Sequence, residues 1–149
     1  IKFLPKKGTE IKGYLDYKVA PLEGLWWMKN NNDFLTASKD KWQWKMMIRQ
    51  PDFVTKEVFE ISLKNAKEKK PNTSLSLGKL EKYVEGTAVQ LMHIGPYSEE
   101  HPNIMRMHKY AMDLGYKLSG KHHEIYLGDP RKTKPEKLET VLRQPVLHS

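Results

Sequence analysis

Cysteine is absent from the 149 residues. That excludes a disulfide framework and suits a reducing compartment, so a cytoplasmic protein is expected. No apolar run approaches the roughly 20 residues of a membrane-spanning helix, and the start carries no signal-peptide pattern. Acid is also short: 18 Asp and Glu stand against 26 Lys and Arg, a net charge of +8. A protein that mimics DNA must present an acidic surface, and this balance argues against one. The surplus lysines sit in "PKK", "KEKK" and "RKTKPEK", at the ends of expected elements, and read as solvated faces. No helix-turn-helix pattern is visible, so neither membrane attachment nor direct nucleic-acid binding is expected.

What the chain does have is 4 Trp, 7 Tyr, 4 Phe and 7 Met, enough for one real core in a single domain over residues 1–149. Residues 11–27 alternate Leu15, Tyr17 and Val19 before Pro21 and Gly24 interrupt them, which predicts a long, bent strand. "NNND" at 30–33 reads as a loop. Residues 41–51 alternate again, with Trp42, Trp44, Met46 and Ile48 on one face and Gln43, Lys45, Met47 and Arg49 on the other. Thr55 predicts an N-cap for a helix with the stripe Val58, Phe59, Ile61, Leu63 and Ala66, ended before Pro71. A linker at 72–79 leads to two strands over 80–95, joined at Glu85-Gly86. Acids and Pro102 open a second helix, with the stripe Ile104, Met107, Ala111 and Leu114 stopped by Gly115. Strands at about 122–128 and 138–146 close the chain. Strands broken by single helices, without a strand-helix-strand rhythm, predict an α+β fold with antiparallel sheet.

In "HHEIYLGDP" (122–130), alternation places His122, Glu124 and Tyr126 on one face and His123, Ile125 and Leu127 on the other. An acid in mid-strand beside a tyrosine is either solvated or aimed into a pocket. His122 and His123 point apart and cannot share one metal. His93 shares a face with Val89 and Leu91 and reads as a hydrogen-bonded core histidine. His101 and His108 lie seven residues apart with no accompanying acid, so neither metal nor cofactor is expected.

"PLEGLWW" (21–27), "MIRQPDFVT" (47–55), "HIGPYSEE" (93–100), "HHEIYLGDPRK" (122–132) and "PEKLETVLRQPV" (135–146) together resemble the GyrI-like small-molecule-binding domain, in its stand-alone bacterial branch. The resemblance implies two strand-helix-strand-strand modules in a pseudo-twofold arrangement whose sheets form a ligand groove. It also implies a strand and helix ahead of residue 1, with "IKFLPKKG" similar to that helix's last turn. Members of this branch resemble cyclopropanoid cyclohydrolases, which detoxify DNA-alkylating natural products by opening their cyclopropane with water.

On that resemblance the catalytic candidates are Glu124, as general base, and Tyr97, whose hydroxyl would orient water or polarise a carbonyl. The groove candidates are Trp26, Trp27, Trp44, Tyr126 and Met47, and the expected partner is a flat, lipophilic, in some cases cationic small molecule. The protein would act as a monomer or dimer. A non-catalytic module that sequesters or senses multiple lipophilic drugs uses the same carboxylate, and the residues alone leave both readings open.

Overall fold

A computed structural model describes residues 1–28, 42–71 and 74–148; the loop read at 30–33 lies outside them. They form two compact units, one from residues 1–20 and 49–83 and the other from 21–48 and 84–149. Two helices and a six-stranded antiparallel sheet make this an α+β fold.

The first unit holds helix α1 (Lys56–Lys69). Thr55 caps it as expected, its hydroxyl accepting from the Val58 amide at 3.3 Å. Val58, Phe59, Leu63 and Ala66 are half-buried, whereas Ile61 is exposed, because Ser62 and Asn65 share the covered side. Residues 11–20 are irregular and not the first half of a strand. Their alternation is broken by packing at a spacing of three: Tyr14 and Tyr17 both set ring edges against Phe53, at 5.3 and 5.7 Å. Lys2 also ties down this segment by donating to the Tyr17 carbonyl. Residues 80–85, expected as a strand, are irregular too, and Val84 is exposed.

The second unit holds the whole sheet. Strand β1 (Leu22–Trp27) pairs with β2 (Gln43–Ile48) on one side and with β5 (His122–Tyr126) on the other. Strand β6 (Glu139–His148) then pairs β5 with β3 (Ala88–Ile94) and, along its far end, with the short β4 (Tyr116–Leu118). The order is therefore β2-β1-β5-β6-β3, with β4 against β6. Strand β4 had no signal of its own, since three residues are too few for a period.

Helix α2 (His101–Asp113) covers one sheet face. Ile104 and Met107 pack with the fully buried Leu142, flanked by Val89 and Leu91. Ala111 completes the stripe, and His108 joins it in place of Leu114, which is exposed. The helix ends before Leu114 reaches the sheet, and Gly115 adopts the left-handed φ of 80° that such a stop requires.

On the opposite face a charged cluster ties four strands and a loop together. The His123 ring reaches Glu85 through Nδ1 at 2.8 Å and Glu23 through Nε2 at 2.9 Å. Arg143 donates to the second Glu85 oxygen at 3.0 Å and to Gln90. Burial alone would raise the Glu85 pKa, but the hydrogen bond and charge of His123, with those of Arg143, outweigh it and hold the carboxyl below its ordinary range. His122 and His123 thus point to opposite faces, as alternation requires.

Candidate functional site

Antiparallel register decides which side chains meet on the α2 side of the sheet. Gly24 pairs with Glu124 and with Met46, Leu22 with Tyr126, and Trp26 with His122. Directly paired residues share a face, so Leu22, Trp26, Met46, Glu124 and Tyr126 come together with Trp42. They floor a pocket of about 710 Å³ within the second unit, inside the range of ~300–1,000 Å³ usual for small-molecule sites. The turn before α2 contributes Tyr97 and Glu100, and residues 127–131 form the rest of the rim.

Glu124 sits at the centre of this floor with its side chain 8% exposed. The Tyr126 hydroxyl donates to Glu124 Oε2 at 2.7 Å and accepts from Trp26 Nε1 at 3.0 Å. Burial first, and then the Glu124 charge, push the Tyr126 hydroxyl far above its ordinary pKa, so it stays a donor. With its proton committed to Glu124, Tyr126 fixes the carboxylate and has none left for a ligand. On the other side, His122 Nε2 lies 3.4 Å from Glu124 Oε1.

Gly24 makes this crowding possible. A Cβ there would stand 2.8 Å from Trp26 Nε1 and 3.0 Å from the Tyr126 hydroxyl. The interruption in "PLEGLWW" is thus the place where two polar aromatic tips fit over bare backbone.

Tyr97 sets its ring edge-on to Tyr126, with centroids 5.6 Å apart. Burial raises its pKa, and the carboxylates of Glu100, Glu124 and Asp129 raise it further. Its hydroxyl therefore remains protonated, and no hydrogen bond ties it to a described residue. His93 holds the turn that presents it: Nε2 donates to the Pro96 carbonyl at 3.1 Å while Nδ1 accepts from Asn103 at 2.9 Å. That is the hydrogen-bonded core histidine expected. At the rim, Arg131 binds Asp129 through two hydrogen bonds of 2.9 Å and holds that carboxyl down at about 2, so this loop neutralises its own charge.

Among the expected site residues, Glu124, Tyr97, Trp26 and Tyr126 meet in the pocket. Trp27 and Met47 do not, because they alternate with Trp26 and Met46 and face the other side. There Lys121 stacks its ammonium 3.5 Å from the Trp27 ring centre. Trp44 is on the pocket face but 60% exposed and outside the pocket; Trp42, two residues earlier, supplies the wall and meets Trp26 edge-on at 6.0 Å. Glu100 was not foreseen: it reads as a solvated acid at a helix start, yet it is 4% exposed. Its spacing of three from Tyr97, which places both on one side of a tight turn, was the available signal. Among the described residues no group of His, Asp and Glu converges as a metal site, and no helix is long and apolar enough to cross a membrane.

Three solved structures from Listeria innocua are similar to this chain. A hydrolase is 41% identical with a TM-score of 0.83, over 98% of this chain and 72% of that one. An uncharacterized conserved protein is 44% identical with a TM-score of 0.88, over 98% and 73%. A further hydrolase is 43% identical with a TM-score of 0.86, over 98% and 72%. No curated protein matches. The model of the GyrI-like small molecule binding domain matches residues 1–147, and the chain belongs to that family.

Proposed function

We propose that this protein holds flat, lipophilic electrophiles in the pocket and adds water to a cyclopropane conjugated with a dienone, so detoxifying DNA-alkylating compounds in the cytoplasm. The observation that carries the reading is a buried carboxylate, oriented by Tyr126, in a floor of aromatic and apolar side chains. Glu124 takes a proton from a water whose oxygen attacks the cyclopropane methylene. The ring C–C bond breaks, and its electron pair flows through the ring system to the carbonyl oxygen. That oxygen becomes a phenolate stabilised by the Tyr97 hydroxyl, then gains a proton from solvent, while Glu124 returns its own. The sum is one water added, giving an alcohol and a phenol. General-base assistance of this kind contributes about 10²–10⁴-fold.

The test uses a duocarmycin-type spirocyclopropyl dienone, with ring opening followed by loss of its chromophore. Glu124→Gln keeps the shape of the side chain but accepts no proton, so opening slows about 10²–10⁴-fold while affinity for this neutral probe holds. A wild-type protein that binds the probe and leaves it intact refutes the hydrolase.

A second reading has its own observation. Glu100 and Glu124 are both buried beside a mostly apolar pocket, a setting that attracts lipophilic cations. In a multidrug-binding module without turnover, Glu124→Gln weakens cations and spares neutral analogues. The cost is up to the ~2–5 kcal/mol of a desolvated charge pair.

A further inference from the structure

Glu124 has two oxygens, and only one is held by the tyrosine. The other faces His122, which precedes Glu124 by two residues and therefore stacks beside it on the same strand face. The His122 side chain is fully buried, with Nε2 3.4 Å from Glu124 Oε1. That separation is longer than a full hydrogen bond and is of the kind that shortens when a ligand fills a site.

Two further polar side chains stand behind this histidine. His108, on α2, is close enough for His122 to help lower its pKa; burial acts first, and the value falls to about 4. His108 is thus a neutral ring at physiological pH. Gln144 stands close enough to His108 to affect its pKa in the opposite sense, and is itself fixed, because Gln144 Nε2 donates to the carbonyls of Ser119 and Pro145 at 2.6 and 3.2 Å. Helix α2 and strand β6 therefore hold a polar chain behind the pocket, in a region otherwise packed with Ile104, Met107 and Leu142.

We propose that His122 is a positioning residue for Glu124: its Nε2–H, closing on Oε1 from the present 3.4 Å, fixes the carboxylate together with Tyr126, so that the remaining lone pairs point into the pocket. The inference rests on Glu124 being the base of the reading above. A carboxylate held from one side rotates about its last bond, and a base that rotates loses alignment with its water.

The test compares two His122 variants on the spirocyclopropyl probe. His122→Phe fills the same space without an N–H, whereas His122→Gln keeps an N–H near the position of Nε2. A positioning role predicts that Phe lowers kcat about 10–100-fold, the size of loss seen when a residue that orients a reacting group is removed from a metal site, with KM nearly unchanged, and that Gln restores most of the rate. If His122 only fills space, the order reverses: Phe is tolerated and Gln is the worse variant, and the inference is overturned. Glu124→Gln in the same series separates the two claims. Full activity there ends the base reading, whereas loss there beside a fully active His122→Phe ends only this one.

A readout without turnover covers a wild type that does not open the probe, or a variant that does not fold. In a long-range ¹H–¹⁵N spectrum of the wild-type histidine rings, His122 carries its proton on Nε2 and the signal shifts in Glu124→Gln. A proton found on Nδ1 alone overturns the inference, because Nε2 then has nothing to donate.

Discussion

Gly24 offers a sharp test of how tightly the pocket floor is built. Its φ is not positive, so Gly24→Ala incurs no backbone strain and reports sterics alone. The new methyl would lie 2.8 Å from Trp26 Nε1, 3.0 Å from the Tyr126 hydroxyl and 3.2 Å from Met46 Cε. Met46 ends in a flexible chain and can swing away. The indole nitrogen and the hydroxyl cannot yield independently, because they are hydrogen-bonded to each other at 3.0 Å and Tyr126 is held by Glu124. Overpacking of this kind costs about 1–3 kcal/mol, and a stretched hydrogen bond adds about 0.5–1.5 kcal/mol. Replacing glycine recovers about 0.4–1 kcal/mol through the unfolded chain. The net expectation is a loss of roughly 0.5–4 kcal/mol, or about 1–16 °C in Tm at 2–4 °C per kcal/mol for a chain near this size. Thermal unfolding gives the first number, and tryptophan quenching by a flat lipophilic ligand shows whether the floor has moved. An unchanged or higher Tm with unchanged quenching would mean that the floor is slack, and the argument from crowding would be wrong.

Tyr97→Phe removes the one pocket hydroxyl, among the described residues, that is free to meet a ligand; it should slow opening of the spirocyclopropyl probe less than Glu124→Gln does, with little change in Tm. Leu142→Ala opens a cavity under α2 and should lower stability by about 2–5 kcal/mol in urea titration, whereas Leu147→Ala, on an exposed side chain, should stay within about 0.5 kcal/mol. The Glu85 carboxyl titrates below its ordinary 4.5 in the folded protein, so its stabilisation is present above that pH and lost as pH falls through the folded value. Glu85→Gln should therefore cost most at pH 7 and converge with wild type in strong acid. His108 acts on the same flank: its folded pKa of about 4 lies below the ordinary 6.5, so the unfolded chain binds more protons in that window and stability falls as pH drops from 6.5 to 4. His108→Asn should flatten that part of the urea-midpoint profile.

Much of this was legible wherever one element carries its own signal. Alternation in "HHEIY" placed Glu124 and Tyr126 together before any partner strand was known, and the cap at Thr55 and the stripe of α2 needed only local spacing. The tryptophans were harder. Trp26 and Trp27 must face opposite ways, but which one meets the ligand depends on Gly24 pairing with Glu124, a register between strands 100 residues apart. Trp42 and Trp44 share a face, so alternation could not choose between them; Trp44 lies between the pocket residues Trp42 and Met46 and is nonetheless turned to solvent, which no period along the strand conveys. The apolar residues at 11–20 and 80–85 carry strand-like patterns, yet no β-strand is formed by either stretch. There Tyr14 and Tyr17 serve Phe53, and Glu85 serves His123 and Arg143.

The central pairing of β1 with β5 also bears on how the protein folds. Trp26 bonds Tyr126, and Glu23 meets His123, across 100 positions of chain. Closing a loop of that length costs about 4 kcal/mol of chain entropy beyond a constant. Strands β5 and β6, by contrast, are neighbours in sequence and can pair early. The pocket floor is then among the last features to form, since it needs both ends of the long loop. No segment that ends before β5 can bind the ligand by this floor, and a ligand that recognises only the closed floor draws the folding equilibrium toward the finished sheet as its concentration rises above Kd. Quenching of Trp26 by a bound ligand would thus serve as a clock for the last step of folding, read from the same residue that lines the site.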